Sequence, residues 1–135
     1  MKMRKVIFFF IVVFGLIACS KQQEDVNQPE SAEKIIGNWI LQDIHNDTFS
    51  YNKTNVQAQD RQGITFKNGG KLVETKNSGF CATPPITYAQ YDGEWILNQK
   101  DLTIQSAFWG GKMMVKYEIL ELTKNKLSLK LISSN

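Results

Sequence analysis

From residue 37 onward, apolar and polar positions alternate in short runs. Leu127, Leu129 and Leu131 fall on one side of such a run, with Ser128 and Lys130 on the other. Val115, Tyr117 and Ile119 oppose Lys116 and Glu118, and Leu102 and Ile104 oppose Thr103 and Gln105. A period of two places one face of a strand in a core and the other in water. The runs are Trp39 to His45, Ile64 to Lys67, Lys71 to Thr75, Thr87 to Leu97 with a bend at Gly93, Asp101 to Phe108, Lys112 to Leu122 and Lys126 to Ile132. Asn68-Gly69-Gly70, Asn98-Gln99-Lys100, Gly110-Gly111 and Lys124-Asn125 separate them, and Asn-Gly supplies the positive φ that tight hairpins want. The pattern predicts an all-β fold of seven antiparallel strands, or eight if part of Phe49 to Gln57 pairs. Short turns favour an up-and-down barrel, with a two-sheet sandwich as the alternative. Ser31 caps a predicted short N-terminal helix, Ala32 to Ile36, which Gly37 ends. The segment Asn46 to Asp60 is long, polar and rich in Gln and Asn, and is expected to be mobile and to cap one barrel mouth.

The first residues follow another pattern. Lys2, Arg4 and Lys5 precede Val6 to Ala18, an unbroken apolar run of 13 residues. That is the length of a secretory signal and short of the roughly 20 residues a spanning helix needs. The run ends in Leu16-Ile17-Ala18-Cys19, which resembles the lipobox read by lipoprotein signal peptidase. The resemblance implies cleavage between Ala18 and Cys19 and acylation of Cys19, anchoring the chain to a membrane. Residues 1–18 are then a signal peptide, 19–31 a polar, flexible tether containing Pro29, and 32–135 the folded domain. Ser20 stands where an Asp favours inner-membrane retention, so the resemblance implies the outer membrane, on either face. Lys21, Glu24 and Asp25 faintly resemble the charged export tags of surface lipoproteins in Bacteroidota.

Charge narrows the partners. The whole chain carries 16 Lys and Arg against 13 Asp and Glu. The three basic residues of the signal account for the entire excess, so the mature chain is formally neutral and nucleic-acid binding loses its compositional support.

Several short motifs in order resemble the small lipocalin-like domains carried by Bacteroidota lipoproteins. They are Ile36-Gly37-Asn38-Trp39, Ile64-Thr65-Phe66 before Asn68-Gly69, Gly93-Glu94-Trp95, Leu102-Thr103-Ile104, and Tyr117-Glu118-Ile119 before Leu122-Thr123, spanning roughly residues 34–132. The resemblance implies an antiparallel barrel with a short N-terminal helix, with Trp39 packed across the barrel floor. The domain is shorter than a typical lipocalin, and neither a C-terminal helix nor an Arg matching the floor Trp is evident. Gly37-Asn38-Trp39-Ile40-Leu41 and Gly93-Glu94-Trp95-Ile96-Leu97 are nearly one pentapeptide, by duplication or by convergence on a bent strand entering an apolar interior.

Catalytic chemistry is not expected. His45 is the sole histidine; Asp43 and Asp47 flank it at two-residue steps, but a solvated strand end explains them. Neither a nucleophile elbow, a phosphate loop nor a metal cluster is present in the sequence, and no cofactor is implied. With Cys19 acylated, Cys81 has no intramolecular partner, and its setting suggests a small buried hydrophobe. Trp39, Phe66, Trp95 and Tyr117 either line a ligand pocket or fill the core. In Phe108-Trp109-Gly110-Gly111 one ring should point outward, making Trp109 a candidate exposed contact. Two functional classes remain: a cup for a small apolar or amphipathic ligand, and an interaction or accessory protein such as an inhibitor, immunity protein or assembly subunit. A void of roughly 300 Å³ or more lined by the rings favours the first. A core filled by them, with Trp109 exposed, favours the second.

Overall fold

The computed structural model describes residues 28–79 and 84–135. Ala18, Cys19 and Cys81 lie outside the described residues, as do the signal peptide and most of the tether. Helix α1 (Gln28–Ile35) is followed by eight strands: β1 (Gly37–His45), β2 (Thr48–Thr54), β3 (Gly63–Lys67), β4 (Lys71–Asn77), β5 (Tyr88–Asn98), β6 (Asp101–Phe108), β7 (Gly111–Leu122) and β8 (Lys126–Ser134). All pairings are antiparallel and the sheet closes on itself in the order β1-β2-β8-β7-β6-β5-β4-β3. The barrel is therefore realised and the sandwich is not.

Two expectations are corrected. The helix occupies Gln28–Ile35 rather than Ala32 to Ile36, so it begins inside the segment assigned to the tether. A proline at position 29 does not oppose this, because the first turn has no hydrogen bond for its missing N–H to break. Glu30 and Lys34 then join the first and last turns at 2.8 Å. The second correction concerns Asn46 to Asp60. Asn46 and Asp47 both adopt positive φ, 45° and 60°, and form a two-residue turn into β2. β2 pairs with β1 on one side and β8 on the other, so this segment closes the barrel instead of capping it. The residues after β2 pack on the outer wall: Ala58 is buried and its carbonyl accepts a 2.8 Å bond from Thr75 Oγ1.

A smaller difference lies at Asn68-Gly69-Gly70, where the left-handed residues are Gly69 and Gly70, each at φ 72°, rather than Asn68 and Gly69. Gly93 sits mid-strand with no room for a side chain. A Cβ there would lie 2.5 Å from the Gln105 carbonyl oxygen and 2.9 Å from Ser106 Cβ.

The floor end of the barrel holds α1, the start of β1 and the ends of β5 and β7. Ile35, Trp39, Phe66, Leu72, Leu102, Leu127 and Leu129 are all at most 1% exposed. Among the described residues, every member of the buried core lies between Ile35 and Leu129, with Ala32 and Leu131 packed against it.

Candidate ligand site in the barrel interior

The floor is built around two tryptophans. Trp39 donates its Nε1 proton to the Ile35 carbonyl at 2.6 Å, tying α1 across the barrel end. Lys53 covers the same ring at 4.9 Å from its centroid and donates to the Lys34 carbonyl at 3.2 Å. The cation that the sequence lacked as an arginine is thus supplied by a lysine of β2. Trp95 shares its Nε1 proton between the Lys67 and Lys71 carbonyls at 3.1 and 3.0 Å and meets Phe66 edge to face at 5.6 Å. Of the two roles open to these rings, the structure places Trp39, Phe66 and Trp95 in the packed core. Trp39 takes the floor position that the resemblance implied.

Above the floor the interior changes character. Leu72, Glu74 and Lys76 share one face of β4, and Leu72 belongs to the core, so Glu74 and Lys76 point inward. Their side chains are 19% and 18% exposed. Lys76 Nζ donates to Glu74 Oε2 at 2.9 Å and to Ser106 Oγ at 2.9 Å, while the Ser106 hydroxyl donates to the same carboxylate oxygen. The ammonium also lies 5.4 Å from the centroid of Tyr91. A charged pair inside a barrel is tolerable only when its members neutralise and hydrogen-bond one another.

Two phenols complete this region. Tyr51 is 6% and Tyr117 is 8% exposed. Burial pushes the Tyr51 hydroxyl well above its usual range, helped by Tyr117 and by the negative charge of Glu74. Burial, with Glu74 again adding, raises Tyr117 to about 12. Both phenols therefore stay protonated and are donors at neutral pH. Neither hydroxyl has a hydrogen-bond partner among the described residues. Yet no fully occluded side-chain nitrogen or oxygen among the described residues lacks a partner. Neither hydroxyl is therefore fully occluded.

The opposite wall is apolar. In the closed order β4, β5 and β6 lie across from β8, β2 and β1. Leu41, Phe49 and Leu131 on those strands are half-buried against the core, and Phe49 meets Tyr117 edge to face at 5.8 Å. At the mouth end a shallow, mostly polar recess of about 380 Å³ is bordered by Leu41, Gln42, Asp43, Ile44, Arg61, Gln62 and Tyr88. Polar groups on β4 and β6 thus share the interior with apolar and phenolic side chains on β1, β2, β7 and β8.

An eight-stranded closed barrel, a floor tryptophan tied to an N-terminal helix and an interior above it are now in hand. A family model described as a lipocalin-like domain matches residues 35–129. The chain belongs to this family. No curated protein and no solved structure matches it significantly. The lipocalin-like domain is compatible with a small hydrophobic ligand.

The remaining sequence candidates separate from this site. His45 is exposed and contacts Asn46 Nδ2 at 3.0 Å through Nε2, and no metal-binding group of His, Cys, Asp and Glu occurs among the described residues. Trp109 is 56% exposed beside Phe108, as the alternation required. A larger groove of about 610 Å³ is bordered by Lys71, Leu72, Glu94, Gln105, Ser106 and Lys112. Sequence reasoning missed Glu74, Lys76, Ser106 and Tyr51. The signal was present in Leu72-x-Glu74-x-Lys76, where the alternation that buries Leu72 carries two charges into the same interior.

Proposed function

We propose that this protein is a lipid-anchored envelope protein whose lipocalin-like domain binds a small apolar or amphipathic molecule, and that it is a binding protein rather than an enzyme. The observation carrying the ligand reading is the pair of buried phenols, Tyr51 on β2 and Tyr117 on β7, whose hydroxyls have no hydrogen-bond partner among the described residues. Buried polar groups are ordinarily satisfied, and two buried phenols without protein partners suit a guest that supplies an acceptor. The anchoring half of the reading rests on Leu16-Ile17-Ala18-Cys19 and the charged, apolar segment before it, and the outer membrane on Ser20. Acyl chains on Cys19 would hold the domain at the membrane without further adhesion.

Native mass spectrometry of the chain from Ser20 onward, produced in its own host, tests the ligand. A small co-purifying mass that is lost on denaturation is the expected result, and a clean apo mass argues against it. Incorporation of labelled palmitate, abolished by Cys19→Ala, is the expected result for the anchor.

A second reading has its own support. The floor rings fill the core and Trp109 is exposed, the combination that favours a protein partner. Under that reading Trp109→Ala abolishes capture of a partner from envelope extracts, while a substitution at another exposed apolar residue such as Ile96→Ala does not.

A further inference from the structure

The charges of the mature chain cancel in sum but not in place. β1 starts at the floor, and antiparallel pairing around the closed order brings the ends of β3, β5 and β7 and the starts of β4, β6 and β8 to that same closed end. Three hairpin turns therefore lie there: Lys67 to Lys71, Asn98 to Asp101 and Leu122 to Lys126. They carry Lys67, Lys71, Lys100, Lys124 and Lys126 against Asp101 alone, and all six residues are exposed. The connections at the mouth, His45 to Thr48, Asn77 to Tyr88 and Phe108 to Gly111, hold no lysine and one acid, Asp47.

Ion pairing removes little of this excess. Lys71 pairs with Glu94, while Lys67, Lys100, Lys124 and Lys126 make no ion pair among the described residues. Lys53, over the Trp39 ring, makes none either. The other acids at this end are Glu33 and Glu121, both exposed, and Glu30, which Lys34 neutralises. Five lysines without an ion pair thus meet three such acids.

An apolar side chain stands among these charges. The Ile119 N–H donates to the Lys100 carbonyl at 2.8 Å, which sets the β5–β6 turn against β7. Leu120, in the bulge between Ile119 and Glu121, is 52% exposed beside that turn. With Ser31, Gln99, Lys100, Ile119 and Leu122 it borders a slot of about 180 Å³. Lysines around an apolar residue match an anionic bilayer, whose phosphates take the ammonium groups and whose interfacial layer takes the hydrocarbon. A nucleic acid would use the lysines and leave Leu120 in water. α1 begins at the same end, so the chain toward Cys19 leaves from this face.

We infer that the closed end of the barrel is a membrane-docking face, seated on anionic phospholipid headgroups through Lys67, Lys100, Lys124 and Lys126 together with Leu120. This goes beyond the lipid anchor proposed above, because a tether limits distance and leaves orientation open.

Lysine labelling read by mass spectrometry tests this on the whole chain as its own host processes it. The protein is treated with a water-soluble acylating reagent beside vesicles of phosphatidylcholine alone, or of phosphatidylcholine and phosphatidylglycerol in equal parts. With the anionic vesicles Lys67, Lys100, Lys124 and Lys126 should lose at least about fivefold in reactivity, the preference one lysine gains near such a surface. Lys112 and Lys130, toward the mouth, should keep theirs, and high salt should restore the rest. Lys100→Glu with Lys124→Glu should abolish the protection of Lys67 and Lys126, and Lys112→Glu with Lys130→Glu should leave it intact. Equal reactivity at both ends with anionic vesicles overturns the docking face. So does the same protection with phosphatidylcholine alone, or with a duplex oligonucleotide in place of vesicles. Palmitate labelling scores the anchor separately. Protection without labelling removes the anchor and keeps the docking face; labelling without protection does the reverse.

Discussion

At the scale of single residues, the interior is decided by what Lys76 neutralises. Its carboxylate partner sits in a barrel otherwise lined by hydrocarbon and aromatic rings, so removing the cation leaves an uncompensated charge. Lys76→Met should cost about 1–3 kcal/mol in urea denaturation, less than for a fully buried pair because both side chains keep some solvent contact. Glu74→Leu combined with Lys76→Met should recover most of that loss, since both charges then disappear together. A double variant no more stable than Lys76→Met alone would contradict the pairing. These residues also mark a limit of sequence reading. Trp39, Phe66, Trp95 and Tyr117 were legible as interior because apolar residues at alternate positions have one plausible place. Glu74 and Lys76 obey the same alternation, but their tolerance inside depends on Ser106, thirty residues on in the chain from Lys76. Pattern shows the face a residue occupies; it does not show the distant group that makes the position affordable.

At the scale of elements, β2 is the decisive strand. Its residues Thr48–Thr54 mix small, polar and aromatic side chains, and only Tyr51 is fully buried, so the apolar signal is thin. The stronger clue was its turn, since Asn46-Asp47 suits the left-handed pair that a tight hairpin demands. Of the remaining seven strands, all but β4 carry at least two apolar residues at strict alternation, and β4 was legible from the Asn68-Gly69-Gly70 turn before it. Placed between β1 and β8, β2 should behave as core structure. Hydrogen exchange should show its ladder amides protected to about the same degree as those of β8, with faster exchange in the exposed stretch Asn55 to Val56. Uniformly fast exchange across Thr48–Thr54 would return the segment to a loop. Ser50→Pro, which removes a ladder donor between Asp43 and Ser128, should abolish that protection.

At the scale of the molecule, closure removes every strand edge, so a protein partner cannot add a strand and must use loops or the outer wall. Closure also buries most of each phenol. Tyr117 ionises at about 12 in the fold and near 10 when unfolded. Between those values the unfolded chain has released its proton and the folded chain has not, so raising pH favours unfolding. Stability from this group is complete below about pH 10 and is lost as pH rises to about 12, a change on the order of 2 kcal/mol. Tyr51 acts in the same direction. Denaturation midpoints measured from pH 9 to 12 should fall over this window, and Tyr117→Phe should flatten the slope. A wild-type slope unchanged by that substitution would show that the phenol is not shielded.

The helix at the floor sets how the barrel hangs. α1 begins at Gln28 and joins β1 at the closed end. For a chain acylated at Cys19 as proposed, only eight residues, 20 to 27, would separate the anchor from α1, a reach of at most about 29 Å. Under that proposal the closed end would be the one held near the membrane, and a ligand entering by the mouth would come from the aqueous side rather than from the bilayer.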